Sequence, residues 1–187
     1  MKTVQKEKPD WKIAQTKVAD YFKEHHFGVK EEASLKSGKR IDVVALRKTS
    51  DRFLNVLIEV KDWNNITRKK EAEFCKQIIQ YIIEYTVEDA NKPSQKDRWN
   101  APQKDSKDIF IGILCLTKDV HFSYRRISQH FVNKNEHILG IPFREQLVKN
   151  IKLYVARFDF LPKVFSDVGY PLFKEPSLSE WVKEEIE

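Results

Sequence analysis

Three charged residues interrupt segments of the sequence that are otherwise apolar. Asp42 lies in the run IDVVALR, and Glu59 and Lys61 lie in the run FLNVLIEVKDW. A charge buried in a strand costs several kcal/mol unless it is paired or bound to a ligand. These side chains are therefore expected either to neutralise one another or to hold a ligand.

Strand geometry predicts that the three side chains meet. Glu59 and Lys61 are two residues apart, so they project from the same face of a strand. The polar residues 48–52 join the two apolar runs, which predicts a hairpin. If its turn is centred at residues 50–51, Asp42 lies opposite Glu59. This register brings two carboxylates and one ammonium together.

Two carboxylates a few ångströms apart repel each other and so invite a divalent cation. Oxygen ligands favour Mg²⁺ or Mn²⁺ over zinc. Such a site suits hydrolysis of a phosphodiester, because the metal polarises the phosphoryl oxygen and helps ionise a water, which Lys61 could orient. The alternative is a structural Asp–Lys or Glu–Lys ion pair at a sheet edge.

The elements that position these residues follow from the spacing of apolar residues and the turn signals. We predict helices over residues 10–26 and about 67–88, and strands over residues 29–35, 41–47, 53–63 and 108–117. Asp10 is the expected N-cap of the first helix and Gly28 its stop. The order predicts an α/β fold with a mixed central β-sheet flanked by helices. Beyond residue 117 we predict a helix over 122–131, a strand over 151–158 and a short final helix from Ser177.

Composition limits the class of protein. The 187 residues carry a net charge of +6, which permits a polyanionic partner without demonstrating one. No apolar stretch is long enough to span a membrane and no signal peptide is recognisable, so we expect an intracellular, cytoplasmic protein without a membrane partner. Cys75 and Cys115 are expected to be buried free thiols.

Asp42, sixteen intervening residues and then Glu59-x-Lys61, in consecutive buried strands, resemble the PD-(D/E)XK nuclease superfamily. This group has the restriction-endonuclease-like fold and includes restriction enzymes, Holliday junction resolvases and RecB-like nucleases. Its αβββαβ core matches the predicted order over residues 10–117. The resemblance implies that Asp42 and Glu59 are metal ligands, the Val60 carbonyl a further ligand and Lys61 the water-positioning group.

Two positions on the predicted helices extend the comparison. Gln77 and Tyr81 look like the QxxxY element of RecB-like members, and at i and i+4 they share one helix face. The alternative is a polar Gln and a core Tyr on an amphipathic helix. Many members carry a Glu on the first helix, where the best-matching position here holds Gln15. A neutral amide binds a cation more weakly, so one or two metals remain open.

Basic residues form two clusters beside the acidic residues. The first basic cluster is Lys36, Lys39 and Arg40, and the second basic cluster is Arg68, Lys69 and Lys70. Cations in the first turn of a helix oppose its dipole, which a phosphate backbone would explain. Both clusters are therefore expected to contact DNA. Arg125, Arg126 and Trp99 are weaker candidates for a phosphate clamp and for base stacking.

The expected function is that of a Mg²⁺-dependent DNA endonuclease, a phosphodiester hydrolase that leaves 5′-phosphate and 3′-hydroxyl ends as the family implies. We predict a single nuclease domain over residues 1–187, with its core at 10–117 and a C-terminal elaboration at 118–187. A resolvase or restriction enzyme would need a homodimer to cut two strands. With two cysteines, no iron–sulfur cluster is expected. The alternatives are a catalytically inactive nucleic-acid-binding module of the same fold, or a single-strand or RNA nuclease.

Overall fold

The computed structural model describes residues 9–49, 53–90, 108–122 and 151–167. The first part of the fold contains helix α1 and three strands. The remaining elements are a second helix, two further strands, a 3₁₀ turn and a short helix. The elements in chain order are α1 (Asp10–Glu24), β1 (Gly28–Ser34), β2 (Arg40–Lys48), β3 (Phe53–Lys61), α2 (Arg68–Ala90), β4 (Ile109–Leu116), β5 (Ile151–Arg157), the 3₁₀ turn (Phe158–Phe160) and α3 (Leu161–Asp167).

The described strands form one mixed sheet in the order β1-β2-β3-β4-β5. The pairs β1–β2 and β2–β3 are antiparallel, whereas β3–β4 and β4–β5 are parallel. Lys48 faces Phe53 and Val43 faces Ile58 across the hairpin, which is the register predicted from the turn. The predicted α/β fold with a mixed sheet flanked by helices is therefore confirmed at this level.

Helices cover the two faces of the sheet. On one face, Phe22 of α1 and Phe165 of α3 share a core with Ile58. On the other face, Ile82 of α2 packs in a core that contains Leu57. Because side chains alternate along a strand, the odd-numbered residues of β3 beyond Leu57 project toward the face that α2 covers. Glu59 and Lys61 belong to this series.

Gly112 allows α2 to approach the sheet closely. A Cβ at this position of β4 would lie 2.7 Å from Leu153 Cδ2, 3.2 Å from Ile82 Cδ1 and 3.3 Å from Ile78 Cγ1. These separations are shorter than ordinary van der Waals contact, so any larger residue would push the helix away. The close approach brings the face of α2 that carries Gln77 against β3.

The predicted helix over residues 10–26 corresponds to α1, but the predicted N-cap is off by one residue and the predicted end by two. Asp10 is the first helical residue, and the N-cap is Pro9, which makes no side-chain capping bond. At the other end, His26 adopts a φ of 61°, and its neighbour Phe27 donates a backbone bond to the Phe22 carbonyl at 3.0 Å. This is a Schellman motif with His in the position usually held by Gly. The packing of Phe27 on Phe22 stabilises it, with ring centroids 5.3 Å apart.

Several other predictions can be compared with the described residues. The third strand ends at Lys61, so the prediction that it extends to Trp63 is wrong. Cys75 and Cys115 are buried and are not joined in a disulfide, as predicted. None of the described helices combines the length and apolar character needed to cross a membrane. The predicted helix over 122–131 lies almost entirely outside the described residues. The predicted helix from Ser177 also lies outside them, as do Trp99, Arg125 and Arg126.

Candidate functional site

The candidate site begins where the hairpin between β2 and β3 stops pairing. The ladder extends as far as the pair Val43–Ile58. One residue beyond it, the Asp42 carboxylate accepts a hydrogen bond from the Val60 N–H at 2.8 Å. A side chain thus replaces the backbone partner that the ladder would have supplied, and the edge between the two strands opens. The neighbouring Glu32 of β1 has a φ of 48°, a left-handed conformation that non-glycine residues rarely adopt.

Glu59 is buried in this opening, with only 4% of its surface exposed. Its Oε1 accepts hydrogen bonds from Lys61 Nζ at 2.6 Å and from Gln77 Nε2 at 2.8 Å. Its Oε2 is buried and has no hydrogen-bond partner among the described residues. An unpaired buried oxygen costs about 1–3 kcal/mol, so a ligand at Oε2 would be stabilising.

Burial raises the pKa of both carboxyl groups of the site. Loss of solvation, followed by the charge of Asp42, raises the pKa of Glu59 from 4.5 to about 7. Burial also raises the pKa of Asp42, although the Val60 N–H and the charge of Lys61 oppose this effect. The two carboxyl groups therefore hinder each other's ionisation, which a nearby divalent cation would reverse.

The Lys61 ammonium is held in one place by three neighbours. Besides its bond to Glu59, Nζ lies 3.4 Å from Gln77 Oε1. It also lies 4.5 Å from the centre of the Phe74 ring, a cation–π contact. The ammonium is thus fixed beside the carboxylate, in the arrangement that the Glu-x-Lys spacing predicted.

Helix α2 contributes the hydrogen-bonded pair that the sequence indicated. Gln77 Nε2 donates to the Tyr81 hydroxyl at 2.8 Å as well as to Glu59. Desolvation raises the pKa of Tyr81, which keeps its hydroxyl neutral and able to accept this bond. Gln77 therefore orients Glu59, and Tyr81 orients Gln77.

Gln15 of α1 reaches the same site from the other side of the sheet edge. Only 1% of its surface is exposed, and its Nε2 donates to the Asp42 carbonyl oxygen at 2.9 Å. Its Oε1 is buried without a hydrogen-bond partner in the described part of the chain. The structure thus places Gln15 beside Asp42, where the resemblance predicted it, with an amide oxygen that no group of the described residues satisfies.

An open pocket of about 220 Å³ is lined by Gln15, Asp42, Glu59 and Lys61, among other residues. Three of its residues were missed by the sequence analysis, namely Trp11, Asp62 and Trp63. Asp62 is engaged by the Thr117 hydroxyl at 2.5 Å and by Lys118 Nζ at 3.1 Å, and these bonds lower its pKa. The position of Asp62 directly after Lys61 was its available signal, and the i and i+4 spacing of Trp11 and Gln15 was the signal for Trp11.

The two basic clusters lie on opposite sides of Gln77 along α2. The turn that carries the first cluster donates its Lys36 and Ser37 N–H groups to Glu88 and Glu84, near the end of the helix. The second cluster is at the helix start, where Lys70 pairs with Glu73 at 3.0 Å. At 1.5 Å per residue, each cluster is roughly 10–17 Å from Gln77 along the helix axis. Lys36 and Arg40 are exposed, as are Arg68 and Lys69.

The oxygen atoms of the site suit a hard cation, but few of them come from carboxylates. Across residues 9–49, 53–90, 108–122 and 151–167, no group of three or more His, Cys, Asp and Glu side chains is arranged to hold a metal. Asp42 and Glu59 supply two carboxylates, the third carboxylate of the pocket, Asp62, is engaged by Thr117 and Lys118, and Gln15 Oε1 adds a neutral oxygen. The Val60 carbonyl points toward β2 as its N–H does, because both groups of a strand residue face the same neighbour. A divalent cation among these oxygens would satisfy Glu59 Oε2 and Gln15 Oε1 together.

Comparisons of the chain with models of protein families, with curated proteins and with solved structures find no match. The resemblance to the PD-(D/E)XK superfamily therefore stays a prediction from the residues. What the chain does is inferred below from the geometry of its site.

The raised pKa of Glu59 predicts how stability depends on pH without divalent cations. The folded state binds this proton more tightly than the unfolded chain does. The resulting stabilisation is complete below about pH 4.5 and is lost as the pH rises through about 7. Denaturation of wild type and of Glu59→Gln should differ progressively over this range, by at most about 1.4 kcal/mol per pH unit. Stability curves that run parallel to each other would show that Glu59 ionises normally, and Glu24→Gln, at an exposed site of α1, is the control.

Proposed function

We propose that this chain is a metal-dependent nuclease that hydrolyses phosphodiester bonds in DNA. The observation that carries the proposal is the arrangement around Glu59. One of its oxygens is bound to the Lys61 ammonium, and the other is buried and unpaired beside Asp42. A structural ion pair alone does not account for a buried carboxylate oxygen that has no partner among the described residues, whereas a bound cation would supply that partner.

Each residue has a role in this proposal. Asp42 and Glu59, with the Val60 carbonyl and Gln15, would hold Mg²⁺ or Mn²⁺. When bound, the cation supplies polarisation of the phosphoryl oxygen and a lower pKa for an attacking water. Lys61 donates hydrogen bonds to that water or to the charge that develops on the phosphate.

Gln77 acts as a positioning residue for this arrangement. It bonds both Glu59 and Tyr81, so it holds the carboxylate in one orientation. Its side-chain oxygen also faces the Lys61 ammonium. Gln77 thus holds the side chains of Glu59 and Lys61 in fixed positions relative to Asp42.

DNA is the proposed partner because of where the positive charge lies. The two basic clusters lie on opposite sides of Gln77 along α2, and the chain as a whole carries a net charge of +6. Phosphates on either side of the cleaved bond could contact them, with affinity that falls as salt concentration rises. The resemblance to the PD-(D/E)XK superfamily further implies that the chain is an endonuclease with a restriction-endonuclease-like core. It also implies a homodimer if both strands of a duplex are cut. The buried free cysteines favour an intracellular location.

A second candidate is a nucleic-acid-binding module without activity. The observation that favours it is the neutral amide of Gln15 in a site with only two carboxylates among the described residues. Such a site binds a cation more weakly than one with three carboxylates. This candidate predicts binding of nucleic acid that is independent of metal.

Incubation with supercoiled, linear duplex, branched and single-stranded DNA tests the proposal. We expect cleavage with Mg²⁺ or Mn²⁺ and none with a chelator. No cleavage of any form, with binding retained, would leave the binding module as the function. Faster cleavage of RNA than of DNA would instead identify an RNA nuclease.

A further inference from the structure

Two tryptophans rim the candidate site and are unusually open to solvent. Trp11 is 55% exposed and Trp63 is 41% exposed, and both line the pocket that contains Asp42 and Glu59. Tryptophan is highly buried on average, so two exposed indole rings at one pocket suggest a binding role. The two rings come from separate elements, the first turn of α1 and the segment after β3.

The Trp63 ring is held in place rather than loosely exposed. Its edge packs against Phe74 in a T-shaped contact, with centroids 5.6 Å apart. Lys70 Nζ lies 5.6 Å from the ring centre. Because Phe74 also contacts the Lys61 ammonium, Trp63 is packed on the same ring that supports the proposed catalytic group. A fixed ring loses little entropy when a ligand stacks on it.

Trp11 is positioned by its helix. It lies four residues before Gln15 and so shares a helix face with it, which explains why both line the pocket. Lys12 Nζ lies 5.7 Å from the Trp11 ring and is paired with Glu32 at 2.7 Å. Each tryptophan thus has an ammonium beside it.

The chemistry of the pocket identifies what could stack there. Its floor is polar, since it contains Asp42, Glu59, Lys61 and Asp62. An apolar protein segment on the two rings would cover these groups and offer no partner to Glu59 Oε2, which has none among the described residues, at a cost of about 1–3 kcal/mol. A nucleic-acid strand offers both kinds of surface, because its bases have flat apolar faces and its phosphates are anionic. Bases in a continuous duplex are stacked on each other, so only unpaired bases can meet an indole ring.

We propose that Trp11 and Trp63 stack on unpaired bases, and that the substrate is therefore DNA with a single-stranded segment at the site. The inference rests on the proposed function for the position of the phosphate beside Asp42 and Glu59. The stacking itself requires no catalysis. Continuous duplex DNA would bind through its phosphates alone, without contact between its bases and the two rings.

Tryptophan fluorescence tests the proposal on the full chain. Replacing Trp99 and Trp181 by Phe leaves Trp11 and Trp63 as the only indoles, and a chelator prevents cleavage. We expect quenching by a thymidine oligonucleotide and little quenching by a duplex of equal length. Equal quenching by both, or none by either, would overturn the proposal. A uridine oligonucleotide of the same length is also titrated. If it binds more tightly than the thymidine oligonucleotide, the site is assigned to RNA and the proposal is likewise overturned.

Variants that remove each ring separate stacking from folding. Trp11→Ala and Trp63→Ala should each weaken binding of the single strand roughly 5- to 150-fold, as expected for the loss of one stacked base. The corresponding Phe variants should retain most of the affinity. Phe160→Ala is the matched control, because Phe160 is 49% exposed, lies near Arg157 and lines a different pocket. If the Ala variants bind the single strand as tightly as this control does, the stacking role is wrong.

The outcomes distinguish this inference from the proposed function. If the chain cleaves no DNA but its fluorescence is quenched by single strands, the nuclease proposal fails and the stacking site stands. If the chain cleaves DNA that contains a single-stranded segment and both Ala variants cleave that DNA at the wild-type rate, the nuclease proposal stands and the stacking site fails.

Discussion

Replacing Asp42 by Asn or Glu59 by Gln should reduce metal-dependent cleavage of DNA by about a thousandfold or more. Either change removes one of the two carboxylates that the described site offers to a cation. Metal polarisation of a phosphoryl oxygen contributes several kcal/mol to the rate, and each 1.4 kcal/mol is about tenfold. Both substitutions retain size and hydrogen-bonding capacity, so the fold should persist.

The measurement is the initial cleavage rate of the preferred DNA form in Mg²⁺ and in Mn²⁺. Asp20→Asn is the matched control, since Asp20 is an exposed acid of α1 that pairs with Lys23 at 2.8 Å. Its rate should equal that of wild type. Circular dichroism establishes that each variant is folded. Wild-type rates in both Asp42→Asn and Glu59→Gln would exclude this pocket as the site of any nuclease activity.

Replacing Lys61 by Met should slow cleavage roughly 100- to 1,000-fold while leaving the affinity for DNA nearly unchanged. The loss of a single fixed donor from a site that stabilises developing charge has an effect of this size. Met fills a similar volume beside Phe74 but cannot donate to a water. Because the ammonium no longer favours ionised Glu59, the cation should also bind more weakly at low pH.

The test compares cleavage at saturating metal with binding of the same DNA in the presence of a chelator. Lys76→Met is the control. Lys76 is the exposed neighbour of Gln77 on α2, so its loss removes one positive charge near the site without changing Lys61. That variant should cleave at close to the wild-type rate. Equal losses of rate and affinity in both variants would mean that Lys61 contributes only general attraction for phosphates.

The parts of the site that could be predicted from the sequence depend on local geometry. Glu59 and Lys61 share a face because side chains alternate along a strand. Asp42 meets them because a five-residue polar turn sets the register of an antiparallel hairpin, and the ladder has that register. Gln77 and Tyr81 meet because residues four apart are neighbours on a helix.

Other features depend on packing between elements that are far apart in the sequence. The Schellman motif at His26 requires Phe27 to pack on Phe22, which outweighed the glycine signal two residues later. Trp63 follows an apolar run and was assigned to the strand, but the strand ends at Lys61. The ring is instead exposed and packed edge-on against Phe74 of another element.

The sequence by itself determined the α/β pattern, the hairpin register and the presence of two carboxylates and an ammonium at one point, because these follow from periodicities of two and 3.6 residues. Only the tertiary structure decided that Glu59 Oε2 and Gln15 Oε1 are buried without partners among the described residues, and that Trp11 and Trp63 border the same pocket. Burial and unmet hydrogen bonds depend on how α1, α2 and the sheet close around an atom, and no local pattern specifies that closure.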